Sequence, residues 1–110
     1  MSKDTRKTRN HVEIGAFLKA ERERAGMTQK ALADEIGLSY YTMISQMELG
    51  YIAVPPSLWV PIANALGLKR SSFVLEMLLE IQPEVYRALF GSAPRQSVEF
   101  ALTNIESNHQ

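Results

Sequence analysis

MTQKALADEIGLSYYTMISQMELG, residues 27–50, holds two short helical patterns parted by a glycine. Thr28 has the hydroxyl of an N-cap. Leu32, Ala33 and Ile36 follow it at helical spacing and predict a helix over residues 29–36. Gly37 ends that helix after two turns. Ser39 stands where a cap is wanted for a second helix, running to about residue 49 and stopping at Gly50, with Ile44 and Met47 turned inward. Two helices joined by a tight turn need a small residue where they cross closely. They also need a glycine where the turn takes positive φ. Ala33 and Gly37, four residues apart, meet these needs. Leu32, Ile36, Leu38, Ile44 and Met47 supply the apolar faces that close the angle.

Working outward, Ile14, Phe17, Leu18 and Glu21 fall at helical spacing over residues 12–25, before Gly26. Residues 1–10 carry Lys3, Arg6, Lys7 and Arg9 against Asp4 and no apolar period, which predicts a basic arm. After Gly50, the prolines at 55 and 56 mark a loop, and a fourth helix starts at Pro56 or Ser57. Its stripe is Leu58, Ile62, Ala63 and Leu66, its end is Gly67, and Pro61 is expected in its first turn, where a missing N–H costs least. Trp59 is expected to pack beneath it. Ser71 or Ser72 is expected to cap a fifth helix bearing Phe73, Val74, Met77, Leu78 and Ile81. Pro83 interrupts, a short sixth helix covers residues 84–90, and Val98, Leu102 and Ile105 mark a last helix over 96–106. No alternating strand pattern occurs, so the fold class is all-α.

At 110 residues and 45% hydrophobic content, the chain suits one compact core. No run approaches the roughly 20 apolar residues of a membrane span. The polar start does not read as a secretory signal. There is no cysteine, which removes thiol chemistry, disulfides and cysteine-held zinc and suits a reducing cytoplasm. His11 and His109 stand near the ends, no nucleophile elbow or phosphate loop is present, and no catalytic or metal site is expected. The net charge is zero, but residues 1–70 carry 10 of the 12 Lys and Arg and 7 of the 12 Asp and Glu. A positive front and a negative back suit a half that faces nucleic acid and a half that faces a protein.

The longer run is more specific. Arg22-Glu23-Arg24-Ala25-Gly26-Met27-Thr28-Gln29, Leu32-Ala33, Ile36-Gly37-Leu38-Ser39, Ile44-Ser45-Gln46-Met47-Glu48-Leu49-Gly50, Pro56-Ser57-Leu58 and Ile62-Ala63-Asn64-Ala65-Leu66-Gly67 stand in the order of one family. Over about residues 12–80 the chain resembles the lambda-repressor-like, XRE-type helix-turn-helix regulators. The resemblance implies a five-helix DNA-binding domain, here residues 11–82, with a C-terminal helical extension over 83–110. It implies that the third helix enters the major groove of double-stranded DNA while the second crosses the backbone. Gln29 then grips a phosphate, and Tyr40, Tyr41, Thr42, Ser45 and Gln46 face the groove. A Gln side chain can pair donor and acceptor with adenine. Arg22 and Glu48 match the family's structural ion pair, which braces the third helix against the first.

The chain departs from the family twice. Residues 37–50 are one longer than the usual spacing, with the extra residue near 40–43. The recognition helix and the loop after it contain no Lys or Arg, so the commonest guanine contact is missing. Phosphate contacts then fall to Thr28, Gln29, Lys30, Ser39, Tyr51 and the basic arm. The expected protein is a cytoplasmic, non-enzymatic homodimer, a repressor or autoregulator on a palindromic operator, needing no cofactor. Phe73, Met77, Leu78 and Ile81 are candidate dimer residues, since the fifth-helix stripe exceeds what one narrow core face needs. Val98, Leu102 and Ile105 join them on a last helix too short to stand alone, which is expected to dock on a partner subunit, with docking on its own domain or disorder as the alternatives. The alternatives are an antitoxin-like protein whose C-terminal half holds a protein partner, and an interaction module that keeps the fold without DNA binding.

Overall fold

A computed structural model describes residues 9–107, and the side chains of 11–104. These residues form seven helices and no strand. They are α1 (Arg9–Arg24), α2 (Gln29–Glu35), α3 (Thr42–Glu48), α4 (Pro56–Leu66), α5 (Arg70–Ile81), α6 (Pro83–Phe90) and α7 (Arg95–Ser107). The basic arm lies almost wholly outside the described residues. No helix among them is long and apolar enough to cross a membrane. The helices fall into two compact units, one ending at Gly67 and one starting at Leu68. The boundary between these compact units precedes α5.

In the first unit α1 touches α3, and α2 touches both α3 and α4. Ile14 and Leu18 of α1, Leu32 and Ala33 of α2, Ile44 and Met47 of α3, and Leu58, Trp59, Ile62, Ala63 and Leu66 of α4 are buried. Burying each of the larger of these side chains contributes about 1.5–3 kcal/mol. Trp59 also donates its indole N–H to the Val54 carbonyl at 2.8 Å, which ties the loop to α4.

Local chemistry sets the ends of the central helices. The Thr28 hydroxyl accepts from the Ala31 amide at 3.0 Å and caps α2. At the other end Leu38 N–H reaches the Ala33 carbonyl at 2.8 Å, and Gly37 N–H reaches Asp34 at 3.2 Å. That bond pair needs a left-handed residue between helix and turn. Gly37 takes it, at φ +82°. A Cβ there would meet nothing within 4 Å. Gly37→Ala should therefore cost only the left-handed strain, about 1–2 kcal/mol, read as a lower thermal midpoint with unchanged helix content. A midpoint equal to or above that of the parent would contradict this account of the turn.

Several sequence-based boundaries shift. The second recognition-motif helix starts at Thr42, with Tyr41 as its N-cap and no side-chain cap bond, so Ser39 is not its cap. Residues 38–41 lie between the Gly37 turn and α3. Pro61 is the sixth residue of α4 instead of a first-turn residue, because Pro55 is the N-cap and Pro56 opens the helix. Its missing N–H leaves the Ser57 carbonyl without its helical donor, and Ser57 is exposed to water. Lys69 is the N-cap of α5, without a side-chain cap bond. Ser72 instead donates to Glu99 at 2.7 Å, and the Ser71 hydroxyl is buried without a hydrogen-bond partner.

The second unit is built on Leu75 of α5, Tyr86 of α6 and Val98 of α7, with Leu78, Leu79, Phe90, Ala93 and Leu102 packed around them. The Tyr86 hydroxyl donates to the Ala93 carbonyl at 2.9 Å and holds the bend between α6 and α7. Lys69 donates to Thr103 at 2.5 Å, and Arg95 pairs with Glu99 at 3.2 Å. A polar seam thus runs beside the apolar contact of α5 with α7.

Candidate nucleic-acid interface

α3 is held on α1 at two points. The first is Gly15 of α1. A Cβ on Gly15 would overlap the carbonyl oxygens of Met47 and Glu48 and stand 2.8 Å from the Glu48 carbonyl carbon. The last turn of α3 thus lies directly on the backbone of α1. Sequence reading missed this residue. Its signal was a glycine inside a helix, which costs about 0.5–1 kcal/mol relative to alanine and so calls for a packing reason.

The second is an ion pair. Arg22 Nε donates to Glu48 Oε2 at 2.6 Å and Arg22 Nη2 to Glu48 Oε1 at 3.1 Å. Both residues are buried, each at 8% exposure. Arg22 Nη1 also donates to the Met27 carbonyl at 2.8 Å, so one guanidinium ties α1 to α3 and to the turn before α2. The hydrogen bond with Glu48 raises the Arg22 pKa above its ordinary value, against desolvation that lowers it. A raised cation contributes its full stability below the unfolded pKa and loses it only above the folded one. Arg22 therefore stays charged through the neutral range.

Gln29 joins this network. Its Nε2 donates to Glu48 Oε1 at 2.9 Å, a link the sequence did not signal. The other expected contact residues sit around it in different states. Thr28 is occupied as the α2 cap. Lys30 is exposed and pairs loosely with Asp34 at 3.2 Å, a surface pair worth little. Ser39 and Thr42 are exposed, and Ser45, Gln46 and Tyr51 are half-buried. Tyr40 is 79% exposed and Tyr41 54%. Neither tyrosine packs into the core. Leu38, Ser39, Tyr40, Thr42 and Met43 line an open recess at the start of α3. Exposed phenol rings beside a short helix fixed at its far end form a surface with polar edges and apolar faces, suited to base edges and thymine methyls.

The candidate dimer residues fare differently. Phe73, Met77 and Val98 are buried within the single chain, at 3%, 1% and 7% exposure. Leu78 and Leu102 pack on the second unit's core, Ile81 is half-buried, and the Ile105 side chain lies outside the described residues. α7 docks on α5 of its own chain. Among the described residues, the large apolar side chains that the second unit leaves exposed are Val85, Leu89 and Phe100. No cluster of possible metal ligands occurs among the described residues.

No curated protein and no solved structure matches the chain. A helix-turn-helix family model does, over residues 18–73, from the middle of α1 into the start of α5. That span holds the capped α2, the Gly37 turn and α3 with its bracing network. The chain belongs to the lambda-repressor-like, XRE-type helix-turn-helix family and is a DNA-binding helix-turn-helix regulator.

Proposed function

We propose that the protein is a sequence-specific regulator of transcription that binds a palindromic operator as a homodimer and represses, its own gene included. The observation that carries this reading is the exposure of Tyr40, Tyr41 and Thr42 at the start of an α3 whose other end is fixed by Gly15, Arg22 and Glu48. Exposed aromatics beside a helix anchored at its far end have no folding purpose, which supports a recognition role. The protein acts without catalysis and works in the cytoplasm. Because α3 carries no cation, one copy holds DNA weakly. Two copies, with recognition helices about 34–36 Å apart, bind one face of the duplex together.

The test is binding to the DNA immediately upstream of the protein's own gene across a salt series, with Gln46→Ala beside the parent. A footprint over a two-fold sequence that weakens with salt is expected. Loss of the Gln46 contact should cost about 1–3 kcal/mol, or about 5- to 150-fold in affinity. A stable dimer with no footprint at low salt would overturn autoregulation and favour a protein partner at the C-terminal half.

A further inference from the structure

We propose that Glu48 is a positioning residue for DNA binding: it holds the Gln29 carboxamide in the orientation that meets a phosphate. This rests on the DNA-binding reading above and adds a coupling between two of its parts. Gln29 is the first residue of α2, and Glu48 the last of α3. Both oxygens of the Glu48 carboxylate are engaged. Oε2 takes Arg22 Nε, while Oε1 takes both Arg22 Nη2 and Gln29 Nε2. The guanidinium fixes the carboxylate, and the carboxylate fixes the amide. A primary amide carries two N–H groups in one rigid plane. With one of them held by Glu48, the direction of the other is set.

A free glutamine would lose rotamer entropy on gripping a phosphate. Here that ordering is already done in the unbound protein. The charge arrangement also fits. Gln29 donates to an anion, yet the anion is matched by Arg22, so a phosphate approaching the second N–H does not face an uncompensated carboxylate. The side chain is half-buried, which leaves its outer part open to solvent. One network thus sets two things together: the seat of α3 on α1, and the donor that grips the backbone. Sequence reading treats these as separate contacts.

The test uses a duplex recovered by the wild-type protein from a random-sequence pool. Affinities are measured for Gln29→Ala, Glu48→Gln, the double variant, and Glu48→Gln combined with Gln46→Ala, each at a temperature where the circular dichroism is native. Gln29→Ala should weaken binding about tenfold, as for a hydrogen bond to a charged group. Glu48→Gln should weaken it by a similar factor, and the double variant no more than either single. Glu48→Gln and Gln46→Ala should multiply independently. A brace for α3 alone would couple to Gln46, which α3 carries, and not to Gln29. That pattern, or multiplicative loss with Gln29→Ala, overturns the proposal.

Should Glu48→Gln fail to fold, the wild-type protein decides. Its Gln29 side-chain amide should show two resolved protons, one shifted and slow to exchange, with a rigid N–H vector before DNA is added. An averaged, fast-exchanging amide overturns the proposal. Failure to recover any duplex would instead remove the DNA-binding reading on which the inference stands.

Discussion

Gly15→Val abolishes the native packing of α1 on α3, and Gly15→Ala lowers the thermal midpoint instead of raising it. The usual effect of replacing a helical glycine by alanine is a gain of about 0.5–1 kcal/mol. Here the new carbon meets backbone on three counts, the Met47 and Glu48 carbonyl oxygens and the Glu48 carbonyl carbon at 2.8 Å. Backbone cannot swing aside as the end of a flexible side chain can. Overpacking of this kind typically costs about 1–3 kcal/mol and occasionally more, enough to reverse the helix gain. For a domain of 60–100 residues each kcal/mol is worth about 4–8 °C. Valine adds two methyl groups at the same point and should leave little native protein at 37 °C. Thermal melts of the three proteins decide the matter. A Gly15→Ala variant more stable than the parent would mean that α1 does not lie on the last turn of α3.

Glu48→Ala is the second large effect. It leaves the Arg22 guanidinium buried without its carboxylate and Gln29 without its acceptor. Breaking a buried pair by removing one partner costs about 3–5 kcal/mol. Replacing both members by apolar residues of similar volume, as in Arg22→Met with Glu48→Leu, should recover much of that loss, since no buried charge then remains. Recovery stays incomplete, because Arg22 also donates to the Met27 carbonyl, which would lose its partner. Urea denaturation of the two singles and the double measures this. Additive losses would mean that the pair is not the source of the cost. Raising the pH through neutrality should not mimic the arginine side of the effect, because the Glu48 hydrogen bond raises the Arg22 pKa.

Much of the fold was legible because its signals are local. The Thr28 cap, the Gly37 turn and the apolar spacing of Leu32, Ala33, Ile44 and Met47 lie within a few residues of the features they specify. The Arg22–Glu48 pairing came from family resemblance, since nothing local joins positions 26 apart. What could not be read depends on contacts across the chain. Gly15 looks like a weak helical residue until α3 is laid against it. Gln29 looks like a free surface amide until the carboxylate 19 residues on is placed beside it. The start of α3 was set two residues too early because Ser39 is chemically able to cap. The turn between α2 and α3 occupies that position instead. Phe73, Met77 and Val98 looked surplus to one helix face, yet they are buried within the chain itself. Apolar spacing predicts that a residue is covered, and it does not say by which element.

The measurement closest to the central claim is the selection of duplexes from a random-sequence pool by the purified wild-type protein. The account predicts enrichment of a two-fold sequence whose half-sites stand one helical turn apart, about 10–10.5 base pairs centre to centre. It also predicts that Gln46→Ala relaxes preference at one position in each half-site. Recovery of unenriched sequence by a folded protein would contradict the claim that α3 reads DNA.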